Sequence, residues 1–156
     1  MKDFYHVSLK LFLKNASGQT LILAAGTTGS YAGYFDVPGG RVDDSEFTTP
    51  LIEIVKRELR EECGLTDVTI RPNPVAYGRH LVPGRQEQLD HDVHVLYLFF
   101  EGTLHSGQVK LSHEHTSFQW IDLETLDLEQ YFTSGILEGV RMYLGNPSVH
   151  RRPRLT

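Results

Sequence analysis

The sequence predicts an α/β domain in which helices flank a mixed β-sheet. Three observations carry this: stretches of period-two apolar alternation recur along the chain, only two stretches read as helices, and the two kinds of element do not alternate as strict βαβ units. Val7, Leu9, Leu11 and Leu13 alternate with His6, Ser8, Lys10 and Phe12, the pattern of a half-buried strand. Thr20 to Ala25, following Asn15-Ala16-Ser17-Gly18, completes a hairpin. Asp67–Arg71 and Val75–His80 read as further strands. His91–Glu101 is apolar on both parities, with Val93, Val95, Tyr97 and Phe99 on one side and Leu96, Leu98 and Phe100 on the other, as expected of a central strand covered on both faces. Thr116–Ile121 is a last short strand. The first helix is expected to open at Thr49-Pro50, with Thr49 as N-cap and Pro50 at the first helical position, and to end at Gly64. The second runs from about Ser134 to Leu144 and stops at Gly145-Asn146-Pro147.

With 156 residues, 40% hydrophobic and 22% charged, the chain has the makeup of one soluble domain around one core. Residues 1–147 are assigned to that domain and 148–156 to a basic C-terminal tail carrying His150-Arg151-Arg152-Pro153-Arg154. The longest apolar run, Val95–Phe100, is far short of the ~20 residues of a membrane span, and MKDFYHVSLK lacks a signal-peptide core. The single cysteine, Cys63, forms neither an internal disulfide nor a cysteine-based zinc site, so a reducing cytoplasm is the expected compartment. Fifteen basic against twenty acidic residues disfavour a long nucleic acid as partner. A small phosphorylated substrate held through a cation remains compatible, because a bound metal reverses the local sign.

The helix from Pro50 to Gly64 does not read as a plain amphipathic helix. At about 100° per residue, Leu51, Ile52, Val55, Leu59 and Cys63 fall on a core-facing side, with Glu53, Lys56 and Arg60 opposite. Glu58 and Glu62 land at the margin of the apolar stripe, with Glu61 just outside. These three carboxylates, at i, i+3 and i+4, share one face and repel one another. Glu53–Arg57 and Arg60 supply a solvated salt-bridge alternative, but the crowding at the core edge calls for a further cation. Magnesium or manganese suits a set of hard oxygen ligands. Just upstream, Phe35-Asp36-Val37-Pro38-Gly39-Gly40-Arg41 offers paired glycines that permit close approach of a ligand or metal to the main chain.

Gly40-x5-Glu46 followed by Arg57-Glu58-Leu59-Arg60-Glu61-Glu62-Cys63-Gly64-Leu65 resembles the Nudix box, G-x5-E-x7-R-E-U-x-E-E-x-G-U with U aliphatic. The second half matches at every fixed position. In the first half ten residues rather than seven separate Glu46 from Arg57, a lengthening placed around Phe47–Thr49. The resemblance implies an α/β/α sandwich and hydrolysis of a diphosphate linked to another moiety, with Mg²⁺ or Mn²⁺ as cofactor. It implies metal ligation by Glu58, Glu61 and Glu62 with the Gly39 carbonyl, and an Arg57 that orients a glutamate. His113-Glu114-His115-Thr116-Ser117-Phe118-Gln119-Trp120-Ile121 is similar to the family's late segment, in which a glutamate reaches the metals, and Glu114 is its match. The general base stays open among Glu58, Glu61 and Glu114, and the lengthening removes Glu46 from the expected metal ligands.

For the substrate, Arg41, Arg79 and Arg85 are the candidate contacts, with His80 and Gln86 beside the Pro83-Gly84 loop. Tyr97 and Trp120 read as core. Six of eight histidines lie between His80 and His115. His91 and His94, three apart on a predicted strand, point to opposite faces, and His113 with His115 lacks a third zinc ligand. The substrate is expected among nucleotide sugars, ADP-ribose, dinucleoside polyphosphates and nucleoside triphosphates. A homodimer is an open option. The competing reading is a non-catalytic nucleotide sensor, which has little need of three mutually repelling carboxylates; a calcium site lacks EF-hand loop spacing.

Overall fold

The computed structural model describes residues 1–145. The basic tail at 148–156 and the Asn146-Pro147 helix stop lie outside the described residues.

Strand β1 (Tyr5–Lys14) is central, pairing in parallel with β7 (Val93–Leu104) over a register from Tyr5↔His94 to Lys14↔Thr103. The remaining pairings are antiparallel: β2 (Thr20–Ala24) and β4 (Gly39–Arg41) on β1, β3 (Phe35–Asp36) and β8 (Phe118–Ile121) on β2, β5 (Val68–Ile70) and β6 (Ala76–Val82) on β7. The mixed sheet is therefore as expected. The β1–β2 connection folds because the Asn15 side chain accepts hydrogen bonds from the Ser17 and Gln19 main-chain N–H groups, an Asx turn.

Alternation on β1 and β7 builds a core on each face of the sheet. Leu9, Leu11 and Leu13 join Leu21, Leu23 and Phe100 beneath helix α1 (Leu51–Cys63). Phe12, Val95, Tyr97 and Phe99 pack on the opposite face with Ile136, Val140 and Tyr143 of helix α3 (Ser134–Gly145). The short helix α2 (Leu128–Tyr131) precedes α3. Helix α3 lies very close to the sheet: a Cβ on Gly139 would stand 2.1 Å from the Phe99 ring, and one on Gly78 equally near the Gly135 carbonyl oxygen. Among the described residues no helix is long and apolar enough to cross a membrane.

Some expected boundaries shift. Pro50 is itself the N-cap and Leu51 opens the helix, without a side-chain cap from Thr49. Leu51 is consequently 40% exposed, and Ile54 takes its place in the core with Val55, Leu59 and Cys63. The C-terminus is as read, with Gly64 left-handed at φ 66° and its N–H donating to the Arg60 carbonyl. Strands β3 and β4 and helix α2 escape a pattern search because runs of two to four residues carry no period.

Candidate active site

The site forms where α1 crosses β4. Gly39 pairs with Lys10 and Gly40 with Leu9 on β1, which brings the glycine pair under the middle of the helix. A Cβ on Gly40 would lie 2.5 Å from the Glu58 carboxyl carbon, so the carboxylate occupies the space that a side chain would fill. At Gly39 the crowding is against backbone: with φ 150°, a Cβ would meet the Leu9 carbonyl oxygen at 1.9 Å.

Arg57 gathers three carboxylates. Its Nε donates to Glu46 at 2.7 Å, and its two terminal nitrogens reach Glu58 and Glu61 at 3.0 Å each. Burial acts to lower the guanidinium's proton affinity, but Glu46, Glu58 and Glu61 together outweigh it and hold the group above its ordinary value. Glu46 also accepts the Asp43 N–H in a capping box around the short 3₁₀ turn Asp44–Glu46. That hydrogen bond, with the one from Arg57, holds its carboxyl below the usual range. The lengthened loop thus leaves Glu46 touching Arg57 at Nε, a different nitrogen from the one that meets Glu61.

Glu58 and Glu62 are less solvated than Glu61, which is exposed. Burial raises the Glu58 carboxyl, opposed by Arg57 and reinforced by Glu61 and Glu114. Glu62 is 7% exposed, deeper than the stripe margin at which the helical wheel places it. Its Oε2 accepts the Gly39 N–H at 3.2 Å, and burial pushes its carboxyl up to about 8 against the pull of Lys10 and that hydrogen bond.

The late loop arrives over Glu62 because both of its ends are tied. Lys110 and Ser112 donate main-chain N–H groups to the Cys63 and Glu62 carbonyls, while the Ser117 carbonyl accepts from Ala24 on β2. Glu114 and His115 are thereby set beside Glu62, with one potential ligand atom from each of the three within 4.8 Å of the others. Glu62, Glu114 and His115 form a mostly oxygen donor set, with Glu58, seated against Gly40, near enough for its charge to act on both glutamates. These residues fit a divalent cation. His115 belongs to the cluster although its sequence position alone provides no third ligand; that partner, Glu62, comes from a distant element.

Next to this cluster, on the α3 face of the sheet, lies a cavity of about 360 Å³ lined by Lys10, Tyr31, Asp36, Arg41, His80 and Tyr97 among others. Its charged groups and tyrosine hydroxyls are paired, Lys10 with Asp36 at 2.8 Å, Arg41 with Glu87 at 2.7 Å, and the hydroxyls of Tyr31 and Tyr97 with each other at 3.1 Å, whereas the buried His80 Nε2 has no hydrogen-bond partner among the described residues. Burial pulls the Lys10 ammonium down, but Asp36, Tyr97 and Glu62 more than offset this and its net shift is upward. Burial also depresses His80, whose Nδ1 lies 2.7 Å from the Ser134 hydroxyl and whose ring stacks near Tyr31.

Of the three candidate arginines, Arg41 lines this cavity. Arg79 faces a separate shallow surface with Glu138 and His94, and Arg85 is exposed on the turn Gly84–Gln86 without entering the cavity lining. His80 and Gln86 do line it. Tyr97 is buried as expected, yet its hydroxyl edge also reaches the cavity. Lys10, Tyr31, Asp36 and Glu87 were not legible as cavity residues, since they come from β1, the loop before β3, β3 and the segment after the Gly84–Gln86 turn, and only the fold gathers them. His91 precedes β7 and sits on Asp90, whereas His94 sits on Asp3, so the two share no ligand.

A family model described as NUDIX domain matches residues 4–139. The chain is 26% identical over 125 residues to the nucleoside triphosphatase NudI of Escherichia coli K12, covering 73% of this chain and 79% of the relative. Among solved structures, the MutT protein of Methanosarcina mazei Go1 superposes with TM-score 0.70 at 25% identity, covering 93% of this chain and 94% of that one. The MutT NUDIX hydrolase of Burkholderia pseudomallei does so with TM-score 0.65 at 18% identity, over 94% of this chain and the full length of the other.

Proposed function

The chain belongs to the Nudix family, and from that premise we propose that it is a metal-dependent pyrophosphohydrolase acting on a nucleoside diphosphate derivative. The observation that carries this reading is the carboxylate cluster: Arg57 holding Glu46, Glu58 and Glu61, with the buried Glu62 against the Gly39 N–H. A protein that only senses a nucleotide gains nothing from this concentration of negative charge, and maintaining it is unfavourable without a cation.

Glu58, Glu61, Glu62 and the Gly39 carbonyl would hold Mg²⁺ or Mn²⁺. When bound, the cation neutralises phosphate oxygens and lowers the pKa of an attacking water. The chain's own contributions are positional. Arg57 fixes the rotamers of Glu58 and Glu61 through charge-assisted hydrogen bonds, which spares them reorganisation when substrate arrives. The proton of the attacking water would pass to Glu58, Glu61 or Glu114, and the position of Glu114 on the tied loop beside Glu62 supports its candidacy. Arg41 at the mouth of the cavity would contact the substrate. The cavity itself, neutral in its paired charges and walled by Tyr31 and Tyr97, suits an uncharged heterocycle or sugar that exchanges hydrogen bonds with it.

The substrate class comprises nucleoside triphosphates, nucleotide sugars, ADP-ribose and dinucleoside polyphosphates. The similarity to a nucleoside triphosphatase supports trying triphosphates first. Residues 1–147 act as one catalytic domain in this reading, in the reducing cytoplasm that a single buried thiol tolerates. The test is a panel of these nucleotides incubated with Mg²⁺ and with Mn²⁺, the products resolved by chromatography. Metal-dependent release of a phosphate, pyrophosphate or nucleoside monophosphate product is expected. No turnover of any member, or undiminished turnover in excess chelator, overturns the proposal.

A further inference from the structure

We infer that His115 is a nitrogen ligand of the metal site, bound through Nε2, and that it biases the site toward first-row transition ions over Mg²⁺. The inference rests on the hydrolase reading above for the presence of a cation, and adds a ligand of different chemistry to the carboxylate set.

Three observations carry it. The imidazole is largely enclosed, its side chain 13% exposed, and its Nε2 stands 3.8 Å from Glu62 Oε2, a carboxylate that is itself buried. The ring's other nitrogen, Nδ1, faces the Ala24 main-chain oxygen at 3.4 Å. A main-chain oxygen has no proton to give, so it selects the tautomer with hydrogen on Nδ1 and leaves the Nε2 lone pair directed at the carboxylates. Metal-ligating histidines show this arrangement, the second nitrogen donating to a backbone carbonyl that fixes both tautomer and ring orientation. Third, a ligand atom of Glu114 completes the group with those of Glu62 and His115, all within 4.8 Å of one another, a spread one cation can span.

The Ala24 contact is not accidental in its placement. Ala24 ends β2 and donates its own N–H to the Ser117 carbonyl, so the strand that holds the loop also supplies the acceptor for the ring. His113, two residues earlier, is exposed and its ring meets no such acceptor among the described residues, which makes it the natural control. A plain ion pair between His115 and Glu62 is the competing account, and it requires Nε2 to carry a proton. A ligand requires Nε2 to be bare.

Mg²⁺ favours an all-oxygen octahedron, while imidazole suits transition ions. Wild-type protein is therefore expected to bind Mn²⁺ more tightly than Mg²⁺. His115→Gln should weaken Mn²⁺ binding by about 10-fold or more, the scale of losing a ligand or its support, and leave Mg²⁺ binding nearly unchanged.

The experiment uses the full chain loaded with Mn²⁺ alone. Pulsed electron paramagnetic resonance should show an imidazole nitrogen coupling that changes on ¹⁵N-histidine labelling, persists in His113→Gln and disappears in His115→Gln. The isotope arm needs no mutation, so it holds even if a variant folds poorly. Calorimetric titration with Mn²⁺ and Mg²⁺ supplies the affinities. Manganese bound without histidine coupling, or equal losses for both ions in His115→Gln, overturns the inference while leaving the hydrolase reading intact. Failure of that reading shows separately, as absence of turnover by wild-type protein with Mg²⁺ and with Mn²⁺ alike.

Discussion

The Glu62 carboxylate and the Gly39 main-chain N–H meet at 3.2 Å inside the junction of α1 and β4, with Glu62 only 7% exposed. A single neutral hydrogen-bond donor and the nearby Lys10 do not compensate the removal of this charge from water, and burial accordingly pushes its carboxyl up to about 8. The carboxylate cluster is thus built around a group that is unfavourable without a cation beside it.

Glu62→Gln should therefore stabilise the metal-free protein and abolish turnover. The amide oxygen still accepts the Gly39 N–H, while the desolvated charge is gone. Because the native carboxyl titrates at about 8 and the unfolded one near 4.5, the native state binds more protons between those values, so Glu62 makes wild-type stability fall as pH rises through that window. The advantage of Glu62→Gln should be absent below about pH 4.5 and largest above about pH 8, reaching roughly 1 kcal/mol or more. Thermal unfolding of both proteins in chelator across this range checks it; a variant destabilised at high pH would be the contrary result.

Chelation should stop hydrolysis and leave the fold intact. The two apolar layers, Leu9 to Phe100 under α1 and Phe12 to Tyr143 under α3, form without the site, unlike those of a metal-nucleated domain. Circular dichroism and turnover measured on one chelated sample decide this.

Glu46→Gln should cost far less activity than Glu62→Gln. Glu46 supports Arg57 at 2.7 Å through Oε1 and closes the capping box through Oε2, so a glutamine keeps one of the two acceptors and turns its amide NH2 toward the other donor, which weakens the support of Arg57 without removing a metal ligand. A loss of about 10-fold in kcat/KM is expected, against orders of magnitude for Glu62→Gln. Equal losses would place Glu46 on the metal itself.

The two glycines should fail in different ways. Gly39→Ala puts a methyl group onto the Leu9 carbonyl at a left-handed φ, where the backbone cannot yield, and should destabilise by about 4 kcal/mol or more. Gly40→Ala meets only the movable end of Glu58, so it should fold with near-normal Tm but lose activity and metal affinity. Thermal unfolding paired with Mn²⁺ titration separates the two.

Arg41→Ala should raise KM by about 10-fold, whereas Arg79→Ala and Arg85→Ala should leave it nearly unchanged, because Arg41 alone of the three borders the cavity. Steady-state kinetics on the best substrate of the nucleotide panel provides the comparison.

What the sequence by itself determined is local. Period-two alternation marked β1, since adjacent side chains on a strand must choose between a covered and an open face, and the turn residues Asn15-Ala16-Ser17-Gly18 marked β2 as its hairpin partner. The two-sided run Val93–Phe100 announced a strand buried between layers, and the Arg57–Leu65 motif located the carboxylates on one helical face, because helical spacing is fixed by the backbone. Tertiary structure decided what those groups meet. The depth of Glu62 depends on the glycine strand beneath it, and the recruitment of Glu114 and His115 depends on ties from Ser112 to Glu62 and from Ser117 to Ala24. Lys10 and Asp36 converge on one cavity, apart from Arg85, through the pairing of their strands, and Tyr31 joins them from the loop before β3. Such contacts join residues tens of positions apart through main-chain hydrogen bonds, which are blind to side-chain identity and so leave no signature in the order of the residues.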